Sequence, residues 1–291
     1  MRTVCCLMVG LLMPAFACAG GSGNTETYTL RYKFAPGQTL RWNVLHRANV
    51  HTTVSGTTKT VDTTSKSVKL WRVTDVHDDG SATFEHLVES VDMRHKLSGS
   101  SEVRYNSLAD RKPPAGFEHL AQSIGVPLSI ITMDASGKVL RREQKQAKAA
   151  AKSKGPMTIP LPEEPVAVGQ SWSFPHKVDV TLPGGAIKKV ETLQRFTLSG
   201  VKTGVATIRV STTILTPIDD PAVRSQLIER ESAGTVRFDV DAGRILSQQM
   251  DLDKGVVGFR GPASSLHYIT RFSEEFVRDV PMTAARPVRR R

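Results

Sequence analysis

The sequence predicts a mainly β fold, built as two related antiparallel halves, curved sheets or half-barrels, with one or two short helices. Three observations carry this expectation: apolar and polar residues alternate with period two, tight-turn residues separate the alternating runs, and a set of turn motifs recurs in order in the second half.

The alternation is clearest near the start. Tyr28, Leu30, Tyr32 and Phe34 interleave with Thr29, Arg31 and Lys33, which puts four apolar groups on one face of an extended segment. After a turn at Pro36-Gly37, Leu40, Trp42 and Val44 continue the pattern. Residues 50–61 are Thr-rich and broken by Ser55-Gly56, predicting a hairpin that lies at an edge or meets solvent on both sides. Asp78-Asp79-Gly80 and Asp134-Ala135-Ser136-Gly137 supply further turns.

The recurrence has three parts. Pro36-Gly37-Gln38-Thr39-Leu40-Arg41-Trp42 returns as Val168-Gly169-Gln170-Ser171-Trp172. Trp71-Arg72-Val73, the turn at Gly80 and Ala82-Thr83-Phe84 return as Phe196-Thr197-Leu198, the turn at Gly204 and Ala206-Thr207-Ile208. Ile131-Thr132-Met133-Asp134-Ala135-Ser136-Gly137-Lys138-Val139 returns as Phe238-Asp239-Val240-Asp241-Ala242-Gly243-Arg244-Ile245. The order is kept and the second copy is shorter, which points to internal duplication.

Helix is a minor component. Phe117, Leu120, Ala121 and Ile124 fall at i, i+3, i+4 and i+7 with Gly125 as terminator, and residues 221–231, with Val223 and Leu227 on one side, are the expected counterpart. Between the copies, residues 141–154 have good helix propensity but no apolar stripe. They predict an exposed, partly helical connector, followed by an extended path through Pro156, Pro160, Pro162 and Pro165.

Arg2, the apolar run 4–13 and Ala15-Phe16-Ala17 read as a secretory signal, since the run is about half the ~20 residues a membrane-spanning helix needs. The expected organisation is a signal peptide at 1–19, a first repeat at 20–140, a basic and Pro-rich connector at 141–165, a second repeat at 166–280 and a basic, disordered tail at 281–291. No transmembrane segment is expected after signal removal, and the expected location is the periplasm or cell envelope. Cys5, Cys6 and Cys18 all lie in or beside the signal, so disulfides, thiol catalysis and cysteine-based zinc sites are excluded from the mature chain. Cys18 precedes Ala19-Gly20-Gly21-Ser22-Gly23, which resembles the lipidated cysteine and tether of bacterial lipoproteins; cleavage after Ala17 or Ala19 without lipidation is the alternative.

The formal net charge is +11, but it is concentrated. Lys138, Arg141, Arg142, Lys145, Lys148, Lys152 and Lys154 crowd one segment, and Arg286, Arg289, Arg290 and Arg291 end the chain. The remaining body is neutral, unlike the broad basic face of a nucleic-acid-binding domain. Nucleic acid is therefore not an expected partner; anionic lipid headgroups or envelope polymers fit the basic segments better.

The Pro-Gly-Gln-Thr turn after a Tyr-rich first segment, the Asp-x-x-Gly-Lys-Val turn ending at Val139, and the passage from Leu161-Pro162 to Gly169-Gln170-Ser171-Trp172 resemble a family of exported bacterial proteins of uncharacterised function. The resemblance spans nearly the whole mature chain and implies fold and export; it carries over no functional residue. The expected architecture is also similar in outline to the half-barrels of periplasmic lipoprotein carriers, an analogy of fold alone.

None of the eight histidines has metal-ligand spacing, and His77 beside Asp78 and Asp79 is explained by the turn. Hydrolase signatures are absent, and the adjacent Glu163 and Glu164 point apart on an extended segment. No metal, cofactor or catalytic residue is expected. Trp42 and Trp172 are expected either as paired core anchors or as contacts for an apolar or sugar ligand. The leading functional expectation is a non-enzymatic binding or carrier protein for an apolar ligand, with the helix near Phe117 covering the groove. The alternative is an interaction protein whose basic connector and tail contact anionic envelope components.

Overall fold

Turns that require a left-handed backbone set the frame. The structure, a computed structural model, describes residues 26–146, 157–182 and 184–278. Its strands are β1 (Thr27–Tyr28), β2 (Thr39–Val54), β3 (Thr57–Val76), β4 (Ala82–Leu97), β5 (Val103–Asn106), β6 (Ser129–Met133), β7 (Val139–Gln144), β8 (Val166–Ala167), β9 (Ser171–Thr181), β10 (Ile187–Lys202), β11 (Val205–Ile214), β12 (Ala233–Asp239), β13 (Arg244–Val257) and β14 (Ser265–Phe276). Two short helices, α1 (Glu118–Ser123) and α2 (Pro221–Leu227), complete it, the latter continuing into a 3-10 turn at Ile228–Arg230.

One 12-stranded antiparallel sheet dominates. From edge to edge it runs β7, β6, β4, β3, β2, β14, β13, β12, β11, β10, β9, with β5 on the far half of β4. The edges β7 and β9 do not pair with each other, so the sheet is open. The strand order repeats: β2, β3, β4, β6 and β7 cross the sheet in the same direction as β9, β10, β11, β12 and β13, and β14 fills the seam between the two sets.

Hydrogen bonds repeat with the strands. Gly37 and Gly169, both at positive φ, donate to Val73 and Leu198, whose own N–H groups return to Gln38 and Gln170. The Gln38 side chain accepts from Ala35 N–H at 3.2 Å, and Gln170 accepts from Ala167 N–H at 2.8 Å. A backbone and side-chain network reproduced this closely is the physical content of the motif read from the sequence.

The first segment holds the copies together by another route. Residues 28–34 alternate in burial as predicted, with Leu30 and Tyr32 buried, but only Thr27 and Tyr28 form a ladder, with β8. Beyond them, Tyr32 N–H donates to Ala135 and Lys33 N–H to Gly243, the equivalent turns of copies one and two. Tyr32 Oη lies against Thr158 and Ile159, and burial pushes its phenol far above the ordinary value.

Around this strap lies one core. Phe84, Phe196 and Phe238 are fully buried and join Leu40, Trp42, Trp71, Ile131, Leu161, Ile208 and Val236 from both copies in a single cluster. Each such aromatic stabilises the fold by about 1.5–3 kcal/mol through removal from water. A second cluster packs Val223 and Leu227 of α2 on Val180 and Val190, the two α2 residues singled out by their spacing. Asp220 caps this helix by accepting from Ala222 N–H at 2.7 Å.

Four expectations change. Residues 141–144 are not helical but the last four residues of β7, because pairing with β6, as in Ile131 with Arg142, outweighs helix propensity. The β2–β3 hairpin turns at Ser55 and Gly56 as expected; it sits mid-sheet between β14 and β4 and not at an edge, while none of residues 50–61 is buried, in keeping with the other alternative of solvent on both sides. Helix α1 buries no residue and closes no groove. The extended segment 29–34 meets turns instead of joining the main sheet. The signal segment with Cys18, residues 147–156 of the connector with Lys148, Lys152 and Lys154, and the arginine tail lie outside the described residues.

Candidate ligand-binding cavity

Alternation along a strand sends neighbouring side chains to opposite faces. Trp42 enters the core, so Asn43 points to the other side, with its cross-strand partners Val68 and Glu275. The same logic places Leu45, Lys66, Ser273, Gln249, Thr235, Ser247 and Arg237 on that side. There, across β12, β13, β14, β2, β3 and β4, lies a cavity of about 810 Å³. It straddles the seam between the copies and falls within the ~300–1,000 Å³ typical of small-molecule sites.

One wall comes from the end of β5. Ser107 is pinned to β4, its N–H donating to Val91 O and its Oγ accepting from Val91 N–H, both at 2.9 Å. Asn106 Oδ1 accepts from Leu108 N–H at 2.9 Å. This turn sets Leu108 on the cavity wall with 81% of its surface exposed. There it adds to the apolar surface that Leu45 and Val68 give the cavity.

The lining is amphipathic. Leu45, Val68 and Leu108 supply apolar surface; Asn43, Asn106, Gln249, Ser90 and Thr235 supply neutral hydrogen-bonding groups. Lys66 and Arg237 stand among Asp92, Asp251 and Glu275, so both signs of charge are present with the acidic one in excess. Burial works to raise the Asp251 carboxyl, but hydrogen bonds from Arg271 at 2.6 Å and Gln249 at 2.7 Å outweigh it and hold it below its ordinary value.

Neither tryptophan expected as a ligand contact lines this cavity. Trp42 is 3% exposed, donates from Nε1 to Ile245 O at 3.0 Å and meets Trp71 and Phe276 edge-on. Trp172 stacks on Phe196 and donates to Pro160 O at 2.9 Å. Both are placed as core anchors. His77 lies 3.5 Å from Asp75, and Asp79 accepts from Ser81 N–H, as a turn requires. Among the described residues no three His, Cys, Asp or Glu side chains gather as metal ligands, and no helix is long and apolar enough to cross a membrane.

Comparison with known proteins adds little. No protein-family model matches the chain, and no curated protein does. Among solved structures the chain is similar to one described as lipid-protein interactions in lipovitellin, with a TM-score of 0.47 and 13% identity over 87% of this chain. It spans 27% of that chain. A second, OpdQ of Pseudomonas aeruginosa, gives a TM-score of 0.21 and 8% identity over 82% of this chain and 99% of that one. Neither value reaches the level at which a shared fold follows.

The cavity was not singled out in the sequence.

Proposed function

We propose that the protein is an exported, non-enzymatic binding or carrier protein, and that the cavity across the seam receives a ligand with an apolar body and a polar head. The observation that carries this reading is the coexistence, in about 810 Å³, of Leu45, Val68 and an exposed Leu108 with Asn43, Asn106, Gln249 and charges of both signs. Apolar surface supplies non-directional affinity and the amides fix the head. This refines the expectation of a purely apolar ligand.

Displacement of a fluorescent fatty-acid probe tests it. Wild-type protein should bind the probe, and Leu108→Asp, on an exposed side chain that folding does not need, should weaken binding about tenfold. Equal binding by both proteins would remove the cavity from the proposal.

A second reading has one observation behind it. Edge strand β7 carries exposed Arg141 and leads to Lys145, which pairs with Glu143 at 2.5 Å. An anionic envelope polymer or lipid surface could be held there together with the basic residues that follow. Such binding would fall steeply with salt, whereas cavity binding would change little.

A further inference from the structure

On the core-facing side of the same sheet, away from the large cavity, the 3-10 turn Ile228–Arg230 lies over β13 and β14 and leaves a cavity of about 260 Å³. Its lining is Glu229, Ser232, Met250, Leu252, Tyr268 and Phe272, with Thr270 between the two rings. Tyr268 and Phe272 stand on one face of β14 at i and i+4, and Met250 is the cross-strand partner of Phe272. The apolar part is therefore a small walled patch with two aromatic rings and a thioether.

Its polar part is a single carboxylate. The exposed Glu229 stands close enough to Tyr268 to act on its phenol. Burial, and then the charge of Glu229, push the Tyr268 phenol up to about 12, so it stays a donor. Lys254, cross-strand partner of Tyr268, is engaged elsewhere: it turns to Glu231 at 3.5 Å. Among the described residues no basic group pairs with Glu229. A carboxylate without a counter-ion beside two aromatic faces attracts an organic cation by charge and by the ring quadrupoles together.

We infer that this pocket is a second binding site, independent of the large cavity, for a small organic ammonium whose apolar body lies against Met250, Leu252 and Phe272 and whose nitrogen sits at Glu229 beside Tyr268. At about 260 Å³ the site falls just below the usual range for drug-sized ligands and holds one ring or a short alkyl chain.

The test uses benzylammonium and its neutral analogue benzyl alcohol, titrated into the full chain and followed by ligand-observed NMR. Benzylammonium should bind at least tenfold more tightly than benzyl alcohol, and Glu229→Gln should abolish that preference while leaving the melting temperature and fatty-acid probe binding unchanged. Thr270→Leu, which fills the pocket, should weaken both compounds. Equal binding of the two compounds to wild type, or a preference that survives Glu229→Gln, would overturn the assignment, as would no binding at all.

Discussion

Lys69 of β3 pairs with the buried carboxylate of Glu274 of β14 across the intervening strand β2. The lysine Nζ lies 4.6 Å from the Trp42 ring centre and 4.9 Å from that of Trp71, and Gln248 also donates to Glu274. This pair bridges copy one to the strand that closes the seam. Desolvating two charges is costly enough to cancel most of their attraction, so the pair's net contribution is small while its half-removal is severe. Lys69→Met alone should destabilise the protein by about 3–5 kcal/mol, and Lys69→Met with Glu274→Leu should recover most of that loss. Urea unfolding followed by tryptophan fluorescence measures it; a double variant no better than the single one would contradict the account.

His86, the cross-strand partner of Trp71, is pushed down to about 4, first by burial and then by the charges of Lys69 and Arg142. The folded protein therefore keeps this ring neutral where the unfolded chain, near pH 6.5, already takes up a proton. Stability from this group is fully present above pH 6.5 and is lost as pH falls toward about 4, by on the order of 3 kcal/mol at most. His86→Gln should flatten the unfolding free energy in that window relative to wild type. Parallel pH profiles would show that His86 is not the source.

Gly243 has φ +61°, and a Cβ there would stand 2.5 Å from Lys33 Cγ and 2.6 Å from Lys33 N. Gly37 has a similar φ of +74° with open space around it. Gly37→Ala should thus cost only the backbone strain, about 1 kcal/mol, whereas Gly243→Ala should cost more and release the strap at residues 29–34. Limited proteolysis near Lys33, combined with thermal melting, separates the two; equal losses would mean the strap is not held at Gly243.

The protein's tryptophans should be silent reporters of cavity binding. Trp42 and Trp71 are 3% exposed and join the opposite face of the sheet, so ligand entry across the seam should leave the emission maximum where it is. A shift on titration with a fatty acid would place the ligand in the core instead.

The elements legible in the sequence are those fixed by neighbours in the chain. Gly37 with Gln38, and Gly169 with Gln170, announce their turns because the bonds they make are local. Val223 and Leu227 announce the buried side of α2 through helical spacing. Strand β7 was obscured because Arg141, Arg142 and Glu143 favour helix until β6 pairs with them. The cavity was illegible for a deeper reason: Asn43 meets Glu275 only when β14 closes the seam, and no periodicity records which distant strands will pair. Trp42 and Trp172 drew attention by size, while the cavity is lined by a mixture of amides, alcohols, charged groups and aliphatic residues such as Leu45, Val68 and Leu108, with no aromatic ring among them.

The central claim is that the seam cavity carries an amphipathic cargo, and intact mass measurement on protein purified from its native source tests it most directly. The account predicts extra mass under native conditions that disappears on denaturation and is reduced in Leu108→Asp. A bare chain under native conditions, together with no fatty-acid probe binding to the purified protein, would contradict it.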